Sequence, residues 1–210
     1  MMIENILNIV QIIVTCGCLV VAVFKAVEKK SRIWMLYGMF CAAFFLGDLW
    51  WELATIFYPE TPDSFIPYLS WDAAALFLIV MMLQFKPEPG ITFQKKCFSM
   101  IWTVLFVTVM CAIYMQYGSY FNNTLTAILM GAIIWFSTMR IYKVPKEDRP
   151  SLKRNVASAI LFYCVAEYAL WTSSCFSYNE NALNVYDVLD LVLTASVVAF
   201  IPAIGKAEGR

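Results

Sequence analysis

Six carboxylates stand inside stretches of sequence that are otherwise apolar: Asp48, Glu52, Asp72, Glu167, Asp187 and Asp190. No lysine or arginine shares those stretches with them. A charged side chain at the centre of a bilayer costs about 2.5–3.5 kcal/mol on insertion scales, so such residues face a cavity or a bundle interior and mark function. Two chemistries suit unpaired acids there. They can neutralise a bound cation, or a pair of them can activate water. Asp48 and Glu52 (i, i+4) and Asp187 and Asp190 (i, i+3) each share a helix face, so two helices can present stacked carboxylates to one space. Tyr163 and Trp171 flank Glu167 at i−4 and i+4 on its own face. Aromatic faces beside carboxylates suit an organic cation, through attraction to the ring quadrupole added to charge neutralisation. The expected ligand-binding set is therefore Asp48, Glu52, Asp72, Tyr163, Glu167, Trp171, Asp187 and Asp190.

The elements that must position these residues follow from composition. The chain has 210 residues, of which 61% are hydrophobic, 16% aromatic and 14% charged. One soluble core of this size cannot hide so much apolar surface, and lipid must cover the rest. Apolar runs long enough to cross about 30 Å of hydrocarbon lie near residues 5–26, 33–57, 67–85, 97–117, 122–142, 156–176 and 185–204. The expectation is an all-α, seven-span bundle forming a single transmembrane domain over 1–210. Acidic Glu4 before the first run and lysines after it reverse the order of a signal peptide, so that run reads as a retained helix.

All fifteen lysines and arginines fall at the first, third or fifth connection or at the carboxyl tail. The second, fourth and sixth connections carry Glu60, Asp63 and Glu180 instead. By the positive-inside rule the amino terminus is expected outside and the carboxyl terminus in the cytoplasm, in the cell membrane. The basic clusters are explained by topology and anionic lipid. The net charge is zero, and no nucleic-acid partner is expected.

At 1.5 Å per residue, Asp72 and Asp190 lie roughly 8 Å below the outer ends of their helices, Asp48 somewhat more than 10 Å, and Glu167 nearer the midplane. Glu52 and Asp187 come close to the outer surface, where they could be solvated, and Asp187 also suits the positive amino end of the seventh helix. An acidic cavity opening outward is the expectation. Trp50, Trp51, Trp71, Tyr168, Tyr178 and Tyr186 crowd the same level and read as an interfacial belt.

Several chemistries are excluded. The chain has no histidine, which removes histidine-ligated metals, histidine acid–base catalysis and a histidine pH switch. The seven cysteines, Cys16, Cys18, Cys41, Cys97, Cys111, Cys164 and Cys175, lack the paired short spacings of a zinc or disulfide framework and read as small buried hydrophobes. A retinal protein needs a lysine in the middle of its last span, whereas Lys206 lies at the end. The Pro-Gln pairs of small sugar and lysosomal amino-acid transporters are missing. No internal repeat stands out, and Pro202 is expected to bend the seventh span only locally.

The segments GDLWWELATIFYPETPDSF, LSWDAAALFL and EYALWTSSCF resemble parts of small uncharacterised seven-span proteins of anaerobic gut-type bacteria. That resemblance implies the fold and no activity. The Gly47-Asp48 pair is similar to the Gly-Asp of the lysoplasmalogenase family of intramembrane lipid hydrolases. It implies hydrolysis with Asp48 and Asp190 as the water-activating pair, although that family has eight spans.

The leading expectation is a receptor, sensor or transporter that binds a small cation, an organic amine or a divalent metal, rather than an enzyme. Oxygen ligands alone would favour calcium, magnesium or manganese. No other cofactor is called for. With about six residues after the last span, a sensor would need a partner or a fused domain for its output. Hydrolysis of the lysoplasmalogenase type is the alternative, and a third reading is a scaffold whose acids pair with bases on a partner's helices.

Overall fold

A computed structural model describes residues 2–57, 65–85, 93–141, 152–176 and 184–208. Glu60, Asp63, Lys86, Lys143, Lys146, Arg149, Tyr178, Glu180 and Arg210 lie outside the described residues. Among the described residues the chain is all-helical: α1 (Met2–Lys29), α2 (Arg32–Phe57), α3 (Phe65–Leu83), α4 (Phe93–Tyr114), α5 (Tyr120–Ile141), α6 (Leu152–Phe176), α7 (Val185–Val198) and α8 (Phe200–Glu208). Seven stretches are long and apolar enough to cross a membrane, the last of them made of α7 and α8 together. This is a multi-pass membrane protein.

Apolar residues on the outer surface agree with that assignment. Ile6, Ile13, Val20 and Val27 repeat every seven residues along one face of α1, and all are exposed. Phe98, Ile101, Trp102 and Leu105, at i, i+3, i+4 and i+7, form a like exposed face on α4. Patches of that extent are avoided on proteins surrounded by water. In a bilayer they face lipid.

Six of the seven spans close a ring in which α1 packs on α2, α2 on α3, α3 on α5, α5 on α6, and α6 and α1 on α7. The α4 helix lies outside that ring along α5. Burial follows this arrangement, with 56% of the α6 span buried against 17% of the α4 span. Down the centre runs an aromatic column. Tyr37 stacks on Phe200 at 5.3 Å, Phe40 meets Tyr163 edge-on at 5.3 Å, and Phe44 packs against both Phe40 and Tyr163.

Helix ends are set by local chemistry. Asn184 caps α7 by accepting from the Asp187 backbone N–H while the Asp187 carboxylate accepts from the Asn184 N–H, a reciprocal capping box. The α1 helix ends in a Schellman-type turn, in which the Ser31 N–H donates to the Ala26 carbonyl and Lys30 takes φ 48°. The seventh span is interrupted at Ala199. Pro202 has no N–H for the Val198 carbonyl one turn earlier, and the Tyr37 hydroxyl donates to the neighbouring Val197 carbonyl at 2.8 Å. The disturbance is local: Ala199 keeps right-handed helical angles (φ −60°, ψ −19°), its N–H donates to the Ala195 carbonyl and its carbonyl accepts from the Ala203 N–H.

Bases gather at one end of the bundle, where Glu28 pairs with Lys25 at 2.7 Å. Lys25, Lys29, Lys30 and Arg32 sit at the α1–α2 turn, and Arg140, Lys153, Arg154 and Lys206 sit at helix ends on the same side. Arg140 is buried there and donates through Nη2 to the Phe85 carbonyl at 2.9 Å, just past the end of α3. All six intramembrane acids lie in the other half.

Candidate functional site

Five helices, α1, α2, α3, α6 and α7, enclose a cavity of about 350 Å³ in the acid-bearing half. Three of the six acids line it, one from each of three helices: Asp48 of α2, Glu167 of α6 and Asp190 of α7. They are near enough for Asp190 and Glu167 to act on the charge of Asp48, and for Asp190 to act on Glu167. No lysine or arginine is among the lining residues. The walls are aromatic, from Phe44, Trp51, Tyr68, Trp71, Trp171 and Tyr186, with Asn8, Gln11 and Ser174 adding neutral polar groups.

Two of the acids are held in the same way. The Trp71 indole N–H donates to Asp48 Oδ1 at 2.9 Å, and the Trp171 indole N–H donates to Glu167 Oε1 at 2.9 Å. The second oxygen of each, Asp48 Oδ2 and Glu167 Oε2, is buried without a partner in good hydrogen-bond geometry, and the Tyr163 hydroxyl stands near enough to the Glu167 carboxylate to act on it. Each indole fixes the plane of a carboxylate and leaves its other oxygen ready to accept. A buried acceptor left unmade costs about 1–3 kcal/mol, more for a charged one, so these two atoms call for a donor.

The two indoles also meet each other. Trp71 and Trp171 lie 6.2 Å apart at 76°, and Tyr68 stacks on Trp171 at 5.7 Å and meets Trp71 edge-on at 5.6 Å. This trio forms a septum. On its far side, between α3, α4, α5 and α6, lies a second space of about 50 Å³ that shares Tyr68, Trp71, Trp171 and Glu167 as walls. Asp72 lines that smaller space. Its Oδ1 accepts from the Thr126 hydroxyl at 3.0 Å.

Gly47 explains how Trp71 comes to lie against α2. A Cβ at that position would stand 2.6 Å from the Trp71 Nε1 and 2.8 Å from its Cδ1. Only a residue without a side chain lets the indole reach Asp48. The Gly-Asp pair noted in the sequence thus has a packing role here: glycine clears the space and aspartate receives the N–H.

The structure divides the eight expected ligand residues. Asp48, Glu167, Asp190 and Trp171 line the larger cavity. Tyr163 is buried against the aromatic column and lines the smaller space with Asp72. Asp72 is therefore parted from Asp48 and Asp190 by the septum, although its depth matches theirs, while Glu167 lines both spaces. Glu52 and Asp187 line neither space. Their expected place near a solvated surface gives way to burial at 3% and 4% exposure. Glu52 accepts from the Asn8 side chain at 3.0 Å, tying α1 to α2. Asp187 is the N3 residue of the α7 capping box, accepting from the Asn184 backbone N–H, as its place at the amino end of the helix suits. Sharing a helix face with Asp48 and Asp190 did not carry these two into the cavity: Asp187 is engaged in the capping box, and Glu52, like Asp48 and Glu167, has one oxygen held and the other, Oε1, buried without a partner.

Trp71, Trp51 and Tyr186, which read in the sequence as belt residues, are cavity walls. Trp171 could be found from its i+4 spacing to Glu167. The Trp71–Asp48 bond crosses between helices 23 positions apart and leaves no periodic signal. Comparison with protein-family models, with curated proteins and with solved structures finds no match for this chain.

Proposed function

We propose that this protein is a receptor or transporter of the cell membrane whose acidic, aromatic-walled cavity opens to the outside and binds a small organic cation. The observation that carries the reading is the pair of buried carboxylate oxygens, Asp48 Oδ2 and Glu167 Oε2, each without a donor in good geometry, in a cavity that has aromatic walls and, among the described residues, no lysine or arginine. An ammonium group supplies N–H donors, a positive charge for the acids and a partner for the ring faces. A divalent metal fits less well, since among the described residues no group of three or more acids, cysteines or histidines is placed to hold one.

A thermal-shift screen of the purified protein against organic amines, quaternary ammonium compounds and divalent metals tests this. Amines are expected to raise the melting temperature. Asp48→Asn and Glu167→Gln, which keep shape and remove charge, should each weaken binding roughly 10- to 100-fold, the equivalent of about 1.5–3 kcal/mol for a charge-assisted hydrogen bond. No stabilisation by any cation, with both variants behaving like the parent, would sink the proposal.

One observation favours a second reading, namely that Asp48 and Asp190 line the same cavity, as an aspartate pair activating water would. Release of a fatty aldehyde or a head group from a lysolipid, lost in Asp190→Asn, would replace cation binding with lipid hydrolysis.

A further inference from the structure

We infer that a groove between α1 and α2, at the basic end of the bundle, binds one anionic phospholipid, with an acyl chain lying between the helices and the phosphate held by Lys30 and Arg32. The inference is independent of the cation-binding reading, for the groove shares no lining residue with the acidic cavity. Its volume is about 540 Å³. Small residues leave that space, Ala26 on α1 and Gly38 and Ala42 on α2. Its rims are exposed and apolar, with Val23 and Val27 on one side and Met35 and Met39 on the other.

Length and charge together choose the occupant. Arg32 and Ala42, at the two ends of the groove along α2, stand about 15 Å apart at 1.5 Å per residue. That is half of the roughly 30 Å hydrocarbon thickness, the depth of one leaflet. A helix of a second copy would run on along the rest of α1, whereas an acyl chain entering from the headgroup level ends where this groove ends. Lys30 and Arg32 stand at that level, and neither has a carboxylate at ion-pair distance among the described residues. Glu28, the acid nearest them in sequence, is taken by Lys25 at 2.7 Å. The first turn of α2 carries no acid, so the positive amino end of that helix adds to the two bases. The turn also keeps a lysine at φ 48°, where glycine would be relaxed. These features fit a phosphate at the mouth and a hydrocarbon chain behind it.

Native mass spectrometry of the full-length protein, delipidated in a neutral detergent and titrated with phosphatidylglycerol or phosphatidylcholine of the same acyl chains, counts bound lipids and protein copies together. One phosphatidylglycerol is expected to bind at least about tenfold more tightly than phosphatidylcholine. In a Lys30→Gln/Arg32→Gln double variant, whose altered side chains are exposed, that preference should fall to within about threefold. It should persist in Lys96→Gln/Arg154→Gln, which removes two exposed bases that do not line the groove. Ala42→Leu, filling the inner end, should weaken both lipids; should that variant misfold, the two double variants still decide. Equal binding of the two lipids to the parent, or the same loss of preference in both double variants, would overturn the inference. So would displacement of the lipid by glycerol 3-phosphate, which would assign the site to a free phosphate, or a dimer that excludes the lipid, which would assign the groove to a second copy.

Discussion

Gly47 and Asp48 show how one residue without a side chain determines what its neighbour can do. The Trp71 indole occupies the space a Cβ would need, and from there it holds one oxygen of Asp48 and leaves the other free. Replacing Gly47 by alanine should push the ring away, at a cost of about 1–3 kcal/mol for overpacking, and release Asp48 from its orientation. Gly47→Ala is thus expected to lower cation affinity about tenfold without removing a charge. Gly17→Ala, where nothing lies within 4 Å of the added atom, should leave affinity unchanged. Titration calorimetry of the two variants checks this, and equal affinities would remove the positioning role given to Trp71. The same residue scale separates Asp187, whose donor is the Asn184 backbone and whose charge serves capping, from Glu52, which joins α1 to α2 through Asn8 with one oxygen and keeps the other buried without a partner.

At the scale of elements, the helices follow the apolar runs, and their ends follow capping chemistry. Lys30 is the exception, a lysine in the left-handed conformation where the Schellman turn usually has glycine. Lys30→Gly should relieve roughly 1–2 kcal/mol of backbone strain and raise the melting temperature while leaving ligand affinity alone. A lower melting temperature would show that the lysine side chain contributes more than its backbone costs. The broken seventh span belongs to this scale too. Pro202 signals a disturbance in the sequence, yet the interruption falls at Ala199, where Tyr37 of α2 takes up the Val197 carbonyl.

For the whole molecule, the division of charge organises everything else. Bases gather at the end where α1 turns into α2, and the acids, the septum and both cavities occupy the opposite half. The proposed orientation, with the basic end in the cytoplasm by the positive-inside rule, turns the cavity outward. Reporter fusions after Arg210 test this: a carboxyl-terminal green fluorescent protein should fluoresce, and a carboxyl-terminal alkaline phosphatase should stay inactive. The reverse result would turn the cavity toward the cytoplasm and make its ligand an intracellular one.

The sequence by itself determined the seven apolar spans, because a bilayer demands about 20 apolar residues per crossing and any charge within them stands out. It also determined which acids lie at membrane depth, and it paired Glu167 with Trp171, since helical spacing is a local property. The tertiary structure decided which acids share a space. Asp72 and Asp48 sit at similar depth on adjacent helices, yet the Tyr68–Trp71–Trp171 septum puts them in different cavities. It also decided that six spans close a ring with α4 outside it. Such choices depend on how helices rotate and pack against one another, which is set by the fit of side chains far apart in the chain and leaves no period to read along it.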